Sequence, residues 1–142
     1  MSNPVKSAGN LEGMAVLVTG GGTGIGAGCA AALVADGATV TICGRRAEVL
    51  EEAATKIHAA AAFGGSVHIA TGDVTNEDDV KAIVAQSMAH TGKLNGCVAN
   101  AGGGGMLSGY EDMDSDEFLR VLHLNVLGTM YCIKHTLPHM LA

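Results

Sequence analysis

Apolar residues fall along this chain in two alternating rhythms: short, nearly unbroken runs, and longer stripes with a period of about 3.6 residues. Met14 to Thr19 (Met-Ala-Val-Leu-Val-Thr) is a β-branched run that reads as a buried strand, and the Ala- and Leu-rich segment from Ala27 to Asp36 reads as a helix. Ala38 to Cys43 predicts a second strand. A helix over Arg45 to Ala62 follows, with Leu50, Ala53, Ala54, Ile57, Ala60 and Ala61 at helical spacing and Glu48, Glu51, Glu52 and Lys56 on the other side. Phe63-Gly64-Gly65 is a stop signal, and Ser66 to Thr71 alternates as a third strand. Thr75-Asn76-Glu77-Asp78 resembles a capping box opening a helix whose inner face carries Val80, Ile83, Val84 and Ser87. Asn95 to Ala99 predicts a fourth strand running into Gly102-Gly103-Gly104-Gly105, a flexible loop. Asp114 or Ser115 then caps a last helix carrying Phe118, Val121, Leu122, Val126, Thr129, Ile133 and Leu137, with Pro138 near its end.

Strand and helix alternate throughout, which predicts an α/β domain: a Rossmann-like doubly wound parallel sheet, with right-handed crossovers and helices on both faces. It would occupy residues 11–142 and be truncated after about four strands. Residues 1–10 are polar, with Pro4, Lys6 and Gly9, and are expected to be disordered; they carry no apolar core of a signal peptide or membrane anchor. No run of about 18 apolar residues follows.

Composition narrows the partners. A hydrophobic content of 48% supports a packed globule over disorder. A formal charge of −6 argues against a nucleic-acid or anionic-membrane surface, which needs clustered Lys and Arg; Arg45-Arg46 is the one basic pair. Cys29, Cys43, Cys97 and Cys132 lie apart in apolar segments, without the paired spacing of zinc or redox motifs. They read as small buried thiols in a reducing cytoplasm. The histidines are scattered too, so no metal site is expected.

Candidate chemistry concentrates at Thr19-Gly20-Gly21-Gly22-Thr23-Gly24-Ile25-Gly26, between the first strand and the first helix. A helix N-terminus presents unpaired backbone N–H groups and about half a unit of positive charge, which suits a pyrophosphate. Gly20 and Gly24 allow backbone angles a side chain forbids, and Gly26 permits close packing. A triphosphatase loop would need a Gly-Lys-Ser/Thr ending, which is absent. A methyltransferase would want an acidic residue where Gly44 stands. Ligands bind such sheets at the carboxyl ends of the strands, and four segments should meet there: the Gly20 turn, Gly44-Arg45-Arg46, Asp73-Val74, and Asn100-Ala101-Gly102. Asp73 could accept a hydrogen bond from an adenine amino group or brace its own loop. Arg45 could fork onto a 2′-phosphate or, with Arg46, simply be the solvated first turn of a helix.

Taken in order and spacing, Thr19-Gly20-x-x-x-Gly24-Ile25-Gly26, Asp73-Val74, Asn100-Ala101-Gly102 and the Asn125 of Asn125-Val126-Leu127-Gly128 resemble the N-terminal half of the short-chain dehydrogenase/reductases. That resemblance covers essentially everything after Asn10. It implies an oxidoreductase that moves hydride between a nicotinamide and an alcohol or ketone carbon. It further implies that Asp73 and Val74 flank the adenine, that Asn100 stabilises the central sheet, and that the backbone around Ala101 and Gly102 approaches the nicotinamide ribose. Thr19, Gly20, Gly22, Thr23, Gly24, Ile25 and Gly26 would form the cofactor turn. Asn125 would belong to a catalytic tetrad, positioning a water in a proton relay; read from the residue alone, it is equally an interior polar group bonded to a backbone carbonyl. Gly44 and Arg45 stand where the family's NAD-preferring members tend to carry Asp and its NADP-preferring members a basic residue, which favours NADP(H) over NAD(H).

The family's Ser and Tyr-x-x-x-Lys do not occur here. Tyr131 and Lys134 are three apart, on the helix that carries Asn125, and read as a surface tyrosine and lysine. The 142 residues are therefore expected to bind a dinucleotide weakly at best and to reduce nothing alone, with partners limited to the cofactor and a second copy or a missing C-terminal half. The fourth strand would be left as an edge and apolar helix faces would be exposed. The alternative from another class is a non-catalytic nucleotide-binding or interaction module.

Overall fold

The computed structural model describes residues 9–105 and 108–142. Four parallel strands, β1 (Ala15–Thr19), β2 (Thr39–Gly44), β3 (Ser66–Thr71) and β4 (Gly96–Val98), form one sheet in the order β3-β2-β1-β4. Helices α1 (Gly24–Ala35), α2 (Ala47–Ala59), α3 (Glu77–Thr91) and α5 (Gly128–Leu141) cover it, and α4 (Ser115–Leu122) leads into α5. This is the doubly wound Rossmann-like arrangement expected. Residues 1–8 of the N-terminal segment lie outside the described residues, while the Asn10 amide donates to Asp36 Oδ1 at 3.1 Å.

Strand alternation divides the core in two. Val16, Val18, Val40 and Ile42 point to one face, where Ala30 and Val34 of α1 and Leu50, Ala53 and Ile57 of α2 cover them. Leu17, Cys43 and Ala70 point to the other, beneath Val80, Ile83 and Val84 of α3 and Cys132 of α5. Both faces are thus covered, and β1 reads as a nearly continuous hydrophobic run.

Several boundaries move from their expected places. The first helix starts at Gly24 rather than Ala27, because the glycine turn runs straight into it with Thr23 as its N-cap. The second ends at Ala59, and Phe63 (φ 51°) and Gly64 (φ 79°) turn left-handed to bring the chain back to β3. Asn76, not Thr75, caps α3: its Oδ1 accepts from the amides of Asp78 and Asp79 at 2.9 and 3.2 Å. Val80, Ile83, Val84 and Ser87 are its buried residues, as expected. Asp114 caps α4 through the Asp116 amide at 3.1 Å.

The last helix is not uniform. A π-helical turn, His123–Leu127, separates α4 from α5, and the Gly128 amide reaches back five residues to the His123 carbonyl. The cause is local: Asn125 Nδ2 donates to the Val121 carbonyl at 2.8 Å, taking an acceptor that an α-helix would give to a backbone amide. Beyond this turn, Cys132 and Thr136 are buried against the sheet, whereas Phe118, Leu119, Leu122, Val126, Met130, Ile133, Leu137 and Leu141 are exposed. The sheet's β4 edge pairs with β1 alone among the described strands. No helix of the described residues is long and apolar enough to cross a membrane.

Candidate functional site

The strand order reverses direction at β1: the chain moves from β1 outward to β2 and β3, then returns to lay β4 on the other side. The loops leaving the carboxyl ends of these strands diverge there and line a cleft of about 740 Å³, within the range of about 300–1,000 Å³ usual for small-molecule sites.

Its floor is the turn after β1. Gly20 (φ 63°) and Gly24 (φ 51°) occupy left-handed backbone that only glycine adopts cheaply. A Cβ on Gly20 would lie 3.0 Å from Asn100 Nδ2 and 3.1 Å from Ala101 Cα, and one on Gly26 would lie 2.6 Å from Asn100 Nδ2 and closer still to the Gly20 carbonyl oxygen. Gly26 therefore packs α1 onto the turn itself. The amides of Gly24, Ile25 and Gly26 find no backbone acceptor among the described residues, and Thr23, the N-cap, makes no side-chain capping bond. No acidic residue sits in the first turn of α1. An uncompensated partial positive charge with free donors thus faces the cleft, a ready anion site.

Asn100 ties this turn to β4. Its Nδ2 donates to the carbonyls of Thr19 and Gly20 at 3.0 and 3.3 Å, and the Ala101 amide donates to Thr19 Oγ1 at 2.9 Å. Thr19 is buried and, like Gly26, supports the cleft from behind rather than lining it. Gly20, Gly22, Thr23, Gly24, Ile25, Arg45, Arg46, Asp73, Val74, Asn100, Ala101, Gly102 and Asn125, all singled out from sequence, line it together.

At the β2 end, Gly44 carries no side chain and Arg45 and Arg46 are exposed, their guanidinium groups with no ion-pair or hydrogen-bond partner among the described residues. Asp73 braces its own loop, its Oδ1 accepting from the Thr75 amide at 2.9 Å and the Thr75 hydroxyl at 2.8 Å. Its other carboxylate oxygen has no such partner among the described residues.

Asn125 is exposed rather than interior, and its amide is fully engaged with backbone. Oδ1 accepts from the Gly103 amide at 3.1 Å, while Nδ2 donates to the carbonyls of Gly103 and Val121, both at 2.8 Å. Arg120, Leu124, Thr75 and Cys43 also line the cleft, and no motif in the sequence marks them. Cys43 is no nucleophile: burial, then the neighbouring Cys132 and Cys97 thiols, push its thiol up to about 12.

Tyr131 and Lys134 lie away from the cleft. Tyr131 is half-buried, a correction to its expected surface position: it packs on the α3 side of the core, edge-on to His123 with ring centroids 6.4 Å apart. Lys134 Nζ donates to Glu77 Oε1 at 2.7 Å, and His135 Nε2 lies 2.8 Å from the same oxygen. These two bonds, Lys134 first, hold the Glu77 carboxyl down at about 2. No group of three or more His, Cys, Asp or Glu able to hold a metal occurs among the described residues.

Comparison with known proteins gives a consistent result. The family profile described as short chain dehydrogenase matches residues 14–142. A 2,5-dichloro-2,5-cyclohexadiene-1,4-diol dehydrogenase of Sphingobium indicum is 35% identical over 132 residues, 93% of this chain and 50% of that protein. A glucose 1-dehydrogenase of Gluconobacter oxydans is 36% identical over 141 residues, 99% of this chain and 51% of its own. Among solved structures, a short-chain type dehydrogenase/reductase from Mycobacterium ulcerans superposes with TM-score 0.88 and 42% identity, covering 92% of this chain and 47% of that one. An NAD+-bound xylitol dehydrogenase superposes with TM-score 0.87 and 30% identity, covering 92% and 49%. The chain thus spans about half the length of the curated relatives it matches.

Proposed function

This chain belongs to the short-chain dehydrogenase family, and from that premise we propose that its cleft holds a nicotinamide dinucleotide, NADP(H) in preference to NAD(H), as the cofactor-binding part of an alcohol or ketone oxidoreductase. The observation that carries this reading is the uncapped N-terminus of α1, whose free amides at Gly24 and Ile25 lie at the cleft wall, with that of Gly26 directly behind them. Those amides and the Thr23 hydroxyl take the pyrophosphate. The unpartnered guanidinium groups of Arg45 and Arg46 take the 2′-phosphate, which Gly44 leaves room for. Val74 and the free carboxylate oxygen of Asp73 flank the adenine, while the backbone of Ala101 to Gly103 borders the nicotinamide end.

When bound, the nicotinamide gives or accepts hydride at the alcohol or carbonyl carbon. Asn125 contributes by holding Gly103 in place. A water positioned by Asn125 for proton relay would have to share its backbone carbonyl, which already accepts from the Thr129 hydroxyl at 3.0 Å, or replace one of its amide bonds. Tyr131 and Lys134 are committed elsewhere, so we assign the 142 residues binding without turnover on their own. The exposed apolar stripe from Phe118 to Leu141 and the β4 edge fit cover by a second copy or by the remaining half of a family member. The four unbonded cysteines fit a reducing compartment such as the cytoplasm.

Calorimetric titration of the chain with NADPH and NADH, with and without Arg45→Ala, tests this. NADPH should bind about tenfold more tightly, a gap of about 1.4 kcal/mol, and Arg45→Ala should close most of it. Equal affinities unaffected by the substitution would refute the 2′-phosphate role, and binding of neither would refute the cofactor reading.

A further inference from the structure

Gly102 to Gly105 reads in sequence as a flexible loop, yet its glycines have a more specific geometry. A Cβ on Gly102 would lie 2.6 Å from Asn125 Oδ1, one on Gly103 would lie 3.5 Å from Leu124 Cδ2, and one on Gly105 would lie 2.8 Å from Val121 Cγ2 and 3.3 Å from Glu117 Oε1. The loop is laid directly on the helix, descending from Asn125 to Glu117. Two side chains of that helix grip it: Asn125 holds Gly103, and Arg120 Nη2 donates to the Gly104 carbonyl at 3.2 Å. The guanidinium is itself held in a two-pronged pair with Glu117, Nε to Oε2 at 2.7 Å and Nη2 to Oε1 at 2.8 Å. Arg120 also lines the cleft.

We propose that Arg120, braced by Glu117, is a positioning residue that latches the Gly104 carbonyl and so pre-forms the nicotinamide end of the cleft. The proposal rests on the cofactor reading above. Ordering four consecutive glycines is entropically unfavourable, because glycine has the most backbone freedom to lose. Asn125 fixes one of them; the Arg120 latch fixes the next. Without the latch a smaller fraction of molecules has the loop seated, and apparent affinity falls by that fraction for any ligand that touches the loop. A ligand reaching only the Arg45 and Asp73 end is indifferent to it.

Two measurements on Arg120→Ala, with Glu117→Gln as the variant that leaves the arginine but weakens its brace, test this. Backbone 15N relaxation of the ligand-free chain should show the Gly103 to Gly105 amides loosening in Arg120→Ala, from order parameters near about 0.85 towards about 0.6, with Glu117→Gln intermediate. In calorimetry, Arg120→Ala should weaken NADPH about threefold while leaving adenosine 2′,5′-bisphosphate, which lacks the whole nicotinamide-ribose half, unchanged. Equal loss for both ligands, no loss for either, or unchanged order parameters would overturn the latch. If the parent chain bound neither ligand, the cofactor reading would fail by itself, and the relaxation comparison would still decide whether the latch exists.

Discussion

Two glycines of one helix should respond in opposite directions to the same methyl group. Gly26 and Gly28 both lie in α1, two residues apart. Gly28 is exposed, with nothing within 4 Å of the place an added Cβ would take, so Gly28→Ala should gain the ordinary helix-propensity difference of about 1 kcal/mol. Gly26 is buried, and its added Cβ would stand 2.6 Å from Asn100 Nδ2 and nearer still to a backbone oxygen. Relief requires moving α1 off the turn, an overpacking cost of about 1–3 kcal/mol. It also loosens the Asn100 bonds to Thr19 and Gly20, each contributing about 0.5–1.5 kcal/mol. After the propensity gain is subtracted, Gly26→Ala should lose about 1–5 kcal/mol. At about 3–4 °C per kcal/mol for a chain of this size, thermal unfolding should put Gly28→Ala about 3 °C above the parent and Gly26→Ala about 3–20 °C below it. Dinucleotide affinity should fall at least about tenfold for Gly26→Ala, because the displaced turn carries the anion-binding amides, and stay unchanged for Gly28→Ala. Equal stability of the two variants would refute the claim that Gly26 is required by contact with the turn rather than by flexibility.

The Glu77 carboxyl, held at about 2 by Lys134 and His135, lies below its ordinary value near 4.5, so its contribution is fully present above about pH 4.5 and is lost as pH falls towards about 2. Glu77→Gln should therefore be less stable than the parent at pH 7, with the difference shrinking through that window; a pH-independent difference in denaturant midpoint would contradict the pairing of α3 with α5. Thr41 is fully buried in β2 and its hydroxyl has no partner among the described residues. Thr41→Val keeps the β-branched shape and removes the unpaired oxygen, and should raise stability by about 1 kcal/mol in urea unfolding, whereas a loss would show that the hydroxyl is satisfied in solution.

Legibility from sequence follows the range of the interactions involved. Strand β1 is visible as a nearly unbroken apolar run because both its faces are covered, and β2 and β3 are visible as β-branched, alternating segments bounded by glycine. The turn at Gly20 to Gly26 is visible because left-handed backbone and close approach demand glycine in a fixed pattern. Less visible are features in which a side chain captures backbone from a distant or adjacent turn. Asn125 taking the Val121 carbonyl produces the π-turn, and no hydrophobic period reports that. Arg120 reads as an ordinary helix-surface cation until Gly104, sixteen residues earlier, is found beneath it. Thr75 and Asn76 are both competent caps, and Asn76 prevails because the Thr75 hydroxyl is already bonded to Asp73. The stripe on the last helix is legible as apolar, but a stripe states only that something should cover it. In this chain the sheet covers Cys132 and Thr136 and leaves Ile133 and Leu137 bare.

If one cleft at the carboxyl ends of the strands accepts a single dinucleotide in the orientation assigned above, amide chemical shifts should map it when the chain is titrated with NADPH. Saturable shifts are expected at Gly20 to Gly26, Arg45 and Arg46, Asp73 and Val74, and Asn100 to Gly103, with adenosine 2′,5′-bisphosphate, which lacks the nicotinamide-ribose half, reproducing those at Arg45, Arg46, Asp73 and Val74 but not those at Ala101 to Gly103. Shifts clustered elsewhere, or adenosine 2′,5′-bisphosphate perturbing Ala101 to Gly103 as strongly as NADPH does, would rule that orientation out.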